Sequence, residues 1–188
     1  MFEELLARIG KLLQRHNIPY MIIGGQAVLL YGEPRLTRDI DITLGVNTDR
    51  LEDILKLIRE IPLKPLPDDT YDFVKNTMVL PCLHEDTGIR VDFIFSFSVY
   101  ETNAISRARR IPISGREVFF ASPEDVIIHK IFAGRPRDLE DVRTILLKNP
   151  GLDIKYIKEW LREFDNSIEG SDFLKRFNEI LNNAWLRE

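Results

Sequence analysis

The six residues DIDITL, 39–44, constrain this chain more than any other segment. Side chains along a β-strand alternate between its two faces. Ile40, Ile42 and Leu44 therefore share a face that needs a hydrophobic core, while Asp39, Asp41 and Thr43 share the other. Such a strand is half-buried, with its acidic face at an opening. Two like charges on one face repel, and a cation between them removes most of that cost. Any fold this chain adopts must bring Asp39 and Asp41 to a place that a positive charge can reach.

The flanking sequence supplies a sheet and helices to cover it. Phe2, Leu5, Leu6, Ile9, Leu12 and Leu13 recur at helical spacing, which predicts a helix over 2–16. YMII is a short strand stopped by Gly24-Gly25, and GQAVLLYG is a helix closed by Gly32. Leu51, Ile54, Leu55 and Ile58 predict a helix over 48–59. Charged residues and prolines make 61–69 a loop. YDFVKNTMVLP and GIRVDFIF both read as strands, the second on an edge or beside a cleft because Asp92 interrupts its apolar run. A short helix over 99–109 precedes a hairpin, RRIPISGREVFF, turning at Ser114-Gly115, with Pro112 marking an edge strand.

The pattern changes at Ser122. SPEDVIIHKIFAG has Ser as N-cap, Pro at the first helical position and acids in the first turn. RDLEDVRTILLKN, DIKYIKEWLREF and SDFLKRFNEILNNAWL follow as three more helices. The expectation is an α+β fold: a core domain over residues 1–120, with helices packed on a mixed β-sheet, then a C-terminal helical bundle over 121–188.

Composition removes several function classes. A formal net charge of −4 argues against a surface that binds nucleic acid throughout, though not against a local basic cleft. The single cysteine, Cys82, rules out an intrachain disulfide and a cysteine-based zinc site, which makes the cytoplasm the default compartment. The N-terminus is charged and amphipathic, unlike a signal peptide, and no apolar run reaches the roughly 18 residues of a membrane span. PCLHED reads as a polar turn rather than a metal site.

Three features point to one chemistry. Gly24-Gly25 lies between a strand and a helix, where backbone amides and the helix N-terminus favour an anion. Asp39 and Asp41 follow on one strand face, and Asp92 sits on a later strand that can neighbour it. Three carboxylates beside a phosphate-binding turn suit metal-assisted phosphoryl transfer. Each piece taken alone has a plainer account: a turn, solvated edge charge, or a surface ion pair such as Arg137 with Asp141.

On these residues the chain resembles the nucleotidyltransferase superfamily of the DNA polymerase β type. IIGGQAVLLYGEPRLTRDIDI looks like its glycine-pair and D-x-D motifs, and RVDFIF like its third carboxylate. It is most similar to the AbiEii-like nucleotidyltransferases, on Tyr31, Gly32, Arg35 and Thr37 before D-x-D, and on Lys130, Arg137, Asp138 and Asp141 in HKIFAGRPRDLEDV. The resemblance implies the nucleotidyltransferase fold and transfer of a nucleoside monophosphate from an NTP to a hydroxyl. It implies Mg²⁺ or Mn²⁺ on Asp39, Asp41 and Asp92, with phosphates held by Gly24, Gly25 and Lys130. Arg35 and Arg38 would meet the triphosphate or an RNA backbone. The implied partners are an NTP, an RNA acceptor such as tRNA, and an antitoxin protein. The alternatives are a catalytically silent binding module of a toxin–antitoxin pair and a metal-dependent phosphodiesterase, whose site normally also draws on histidine.

Overall fold

The computed structural model describes residues 2–34, 36–37 and 39–185. Helix α1 (Phe2–Arg15) leads into β1 (Tyr20–Ile23), α2 (Gly24–Tyr31) and β2 (Asp39–Leu44). A 3₁₀ turn at Thr48–Arg50 opens α3 (Leu51–Ile58), followed by β3 (Leu63–Pro65), α4 (Thr70–Thr77), β4 (Val79–His84) and β5 (Ile89–Phe95). After α5 (Val99–Ser106), β6 (Arg109–Ile113) and β7 (Arg116–Phe120) form a hairpin through Ser114-Gly115. Helices α6 (Pro123–Ala133), α7 (Pro136–Lys148), α8 (Ile154–Ser167) and α9 (Phe173–Trp185) complete the fold.

The chain divides into two compact units, one made of residues 1–26 and 36–121, the other of 27–35 and 122–188. The first holds a seven-stranded mixed sheet in the order β3-β4-β5-β2-β1-β7-β6. β2 runs parallel to β5 and β1 parallel to β7, and the remaining pairs are antiparallel. Ile22, Ile40, Ile42, Leu44, Val91 and Phe93 are all fully buried, which sets the apolar face of the central strands. Helix α1 packs on β6 and β7, and α4 on β4. Thr43 is also buried, so the polar face of β2 opens only at Asp39 and Asp41.

Two expectations are corrected here. The segment YDFVKNTMVLP is not one strand: its first part forms α4, because the Asp69 carboxylate accepts from the Asp72 amide at 3.0 Å and caps a helix. Met78, with φ 60°, ends that helix and lets β4 begin at Val79. The 61–69 loop contains β3, an edge strand where Pro65 needs no N–H for the ladder. Of the two placings open to the Asp92 strand, edge or cleft side, the edge is excluded, because β5 is interior, flanked by β4 and β2.

In the second unit, α6 begins as its sequence demands. Ser122 Oγ accepts from the Asp125 amide at 3.2 Å and donates to Asp125 Oδ2 at 2.6 Å. Gly134 ends the helix in the left-handed region at φ 65°. Helix α6 packs against α7 and α8, and α9 packs against both of those. Asp165 on α8 accepts from the amides of Phe173 and Leu174 at 2.8 and 2.9 Å, so one helix caps the start of the next.

Candidate active site

The parallel register of β2 and β5 pairs Asp39 with Arg90 and Asp41 with Asp92. Laterally paired residues on neighbouring strands project from the same face, with backbones about 4.8 Å apart. All three candidate carboxylates, and Arg90 with them, therefore stand on one patch of sheet. Their exposure grades outward: Asp41 and Asp92 are half-buried and Asp39 is exposed.

Gly24 shapes the inner wall of this patch. It follows Ile23, the antiparallel partner of Asp41, and takes φ +64°, a region that costs other residues strain. Space is the second constraint. A Cβ at Gly24 would overlap Asp41 Oδ2 and lie 2.9 Å from its Cγ. The carboxylate thus rests on bare backbone, and α2 starts at the same point. Gln26, buried in the first turn of α2, reaches the Asp39 carbonyl with its side-chain amide at 3.4 Å.

Arg90 is the residue that motif reading passed over. Its Nε donates to Asp92 Oδ1 at 2.8 Å, an ion pair in which the arginine side chain is half exposed and Asp92 is 18% exposed. The hydrogen bond to Asp92, and then the charges of Asp92, Asp39 and Asp41, hold the guanidinium above its ordinary pKa. The signal was present in RVDFIF, since a residue two before Asp92 on a strand must share its face. On the other face, Cys82 is buried beside Val91, and burial followed by the Asp92 charge pushes its thiol up to about 12.

Carboxylate oxygens are the hard donors that Mg²⁺ and Mn²⁺ select. Among the described residues, no group of three or more His, Cys, Asp or Glu side chains converges closely enough to hold a metal ion by itself. Mg²⁺ is commonly held by one or two protein carboxylates, with substrate phosphates and water completing its shell, and the register partners Asp41 and Asp92 are donors of that kind.

Comparison with known proteins identifies the family and the fold. The family described as "Nucleotidyltransferase of unknown function (DUF6036)" matches residues 1–187. The chain belongs to that nucleotidyltransferase family. No curated protein sequence matches this nucleotidyltransferase. Its fold is similar to that of the antibiotic-resistance factor ANT(2'')-Ia, with TM-score 0.59 and 16% identity over 88% of this chain and 91% of that one. A putative nucleotidyltransferase from H. pylori gives TM-score 0.52 and 19% identity over 98% and 92% of the two chains. The lincosamide antibiotic adenylyltransferase LnuA, with lincomycin bound, gives 0.50 and 16% over 72% and 90%. At such identities the likeness concerns the nucleotidyltransferase fold, which the mixed seven-stranded sheet and its helices share.

The remaining motif residues of this nucleotidyltransferase fall in different places. Thr37 is half-buried in the segment entering β2, while Arg35 and Arg38 lie outside the described residues. In the second unit Lys130 is 8% exposed and reaches Asp138 Oδ1 at 2.6 Å and Asp141 Oδ2 at 2.9 Å. Arg135, not the exposed Arg137, adds a bond to Asp138 at 2.6 Å. Burial pushes the Asp138 carboxyl upward, but the hydrogen bonds from Arg135 and Lys130 outweigh it and hold the group below its usual range. His84 bonds Thr87 in the β4–β5 turn, and His16 pairs with Glu60.

Proposed function

We propose that this protein is a divalent-metal-dependent nucleotidyltransferase that moves a nucleoside monophosphate from an NTP to a hydroxyl. The observation that supports it most is the register that sets Asp41 beside Asp92, with Asp41 seated on Gly24 at the start of α2. Asp39 and Asp41 would hold Mg²⁺ or Mn²⁺, whose chemistry here is to neutralise the triphosphate and the departing pyrophosphate. The amides of Gly24 and Gly25 bind phosphate oxygens at a helix N-terminus. Asp92 orients the acceptor hydroxyl and takes its proton. The hydroxyl oxygen bonds the α-phosphorus as the bond from that phosphorus to the bridging oxygen breaks, and pyrophosphate leaves. Lys130 enters this reading as an organiser of the second unit, because two carboxylates already take its ammonium.

For the acceptor we infer RNA, such as tRNA. Arg109, Arg110 and Arg116 are exposed on the β6–β7 hairpin and offer a local basic surface on an otherwise acidic chain. The Lys130…Arg137-Asp138…Asp141 pattern supports an AbiEii-like subtype, for which an antitoxin protein is the natural partner. The cytoplasm is the compartment this reading assigns; among the described residues no helix is long and apolar enough to cross a membrane.

Labelled NTP, Mg²⁺ and total RNA or protein test the activity directly. Label transfer by the wild type and none by an Asp39→Ala/Asp41→Ala variant is the expected result. Equal labelling by both forms would remove the claim. Binding to tRNA should weaken steeply between about 50 and 200 mM salt, because phosphate contacts release counterions. If tRNA does not bind at the lower salt with a non-hydrolysable NTP present, the acceptor is a small molecule or a protein instead.

A further inference from the structure

Three carboxylates on adjacent strand positions should repel one another strongly in the ion-free protein. Here one cation already answers that repulsion. Arg90 is the register partner of Asp39, shares a sheet face with Asp41 and Asp92, and donates to Asp92 at 2.8 Å. Its Nε occupies Oδ1, one of the two Asp92 oxygens open to an incoming ion or an acceptor proton.

Arg90 also has somewhere to go. Its side chain is half exposed and borders a groove of about 550 Å³ beside α4, lined further by Leu66, Asp68, Asp72, Phe73 and Pro81. Three acidic side chains line it, and Asp68 and Asp72, beside the helix-capping Asp69, offer an alternative home for a guanidinium. Pro81 is the β4 partner of Asp92, so groove and carboxylates lie side by side on the sheet. The arginine therefore sits where two acidic environments meet, held to one by its ion pair with Asp92 on a long, flexible side chain.

We propose that Arg90 is the resident counter-cation of the carboxylate site and that it exchanges with the divalent ion: it ties down Asp92 when no ion is bound and releases it towards the groove when one arrives. This rests on reading the site as metal-dependent. The consequence is a competition. A guanidinium left in place repels the incoming ion, so every ion bound displaces a favourable contact. A site built this way keeps a cation among its carboxylates in both states.

The test is Mn²⁺ affinity, followed by electron paramagnetic resonance on the full chain, with and without a non-hydrolysable NTP. Arg90→Met should bind Mn²⁺ roughly tenfold more tightly than wild type at low salt, an effect of the size expected from removing one charge a few ångströms from the ion. Arg90→Lys, which keeps the charge, should return most of the way to wild type. Thermal melting gives a second readout. Without metal, Arg90→Met should melt below wild type, and Mn²⁺ should raise its melting temperature by more. Equal or weaker Mn²⁺ binding by Arg90→Met, with wild type still binding, overturns the exchange and leaves the metal-dependent reading standing. No Mn²⁺ binding by any form, even with the NTP analogue, overturns both.

Discussion

The Asp41 carboxylate lies directly against the Cα of Gly24, so that a side chain at 24 and the present position of Asp41 exclude each other. Gly24→Ala should therefore do two kinds of damage. The positive φ costs about 1–2 kcal/mol for an L-residue, read as a lower urea midpoint. The added methyl displaces Asp41, so nucleotidyl transfer should fall further than stability explains. A variant with wild-type turnover would show that the contact has no bearing on the chemistry.

Asp39 is the most exposed of the three acids and carries no part of the core. Asp39→Asn should leave the fold intact and, by removing one of three mutually repelling charges, match or exceed wild-type melting temperature in the absence of metal. Transfer should drop by about 10²–10³, the scale seen when one electrostatic stabiliser of a transition state is lost. Single-turnover transfer and a melting curve on the same preparation decide it.

Lys130→Met takes from Asp138 and Asp141 the buried ammonium that they share in the second unit. Removing one partner from a buried ion pair typically costs about 3–5 kcal/mol. Hydrogen exchange should show the loss concentrated in α6 and α7. A loss below about 1 kcal/mol would mean that the triad is solvated in practice, as a surface pair is.

Asp138 also gives the second unit a pH signature. Its folded-state pKa lies below the ordinary value of 3.8, so its charged form is the one that folding favours. That contribution is complete above the unfolded-state pKa of roughly 3.9 and fades as pH falls through the lower folded value. Acid titration of wild type should show stability declining below about pH 4 more steeply than in Asp138→Asn, which has no carboxyl to protonate there.

Cys82 is the chain's single cysteine, fully buried, with a thiol pushed up to about 12. Thiolate is the reactive species. A maleimide at neutral pH should leave the native protein unlabelled and modify it stoichiometrically in denaturant. Rapid native labelling would show that β4 opens readily.

Much of this protein was legible in its sequence, because local rules with short range settle local questions. The period-two alternation of DIDITL and RVDFIF places Asp39, Asp41 and Asp92 on polar faces and their neighbours in a core. Ser122, Pro123 and Gly134 bracket α6 through capping chemistry that involves only adjacent residues. The Thr70–Thr77 helix is hidden in the sequence because its aromatic content suits a strand, while the Asp69 cap that decides the matter is one hydrogen bond. Tertiary structure alone decided what depends on pairing at long range. Nothing in the order of residues fixes that β5 lies inside the sheet against β2, that Asp41 therefore meets Asp92, or that Arg90 falls among the acids. Register is set by how whole strands bury their apolar faces together, and a slip of one residue would turn Asp92 into the core. The same holds for Lys130, whose two carboxylate partners come from the next helix and meet it only once α6 and α7 are packed.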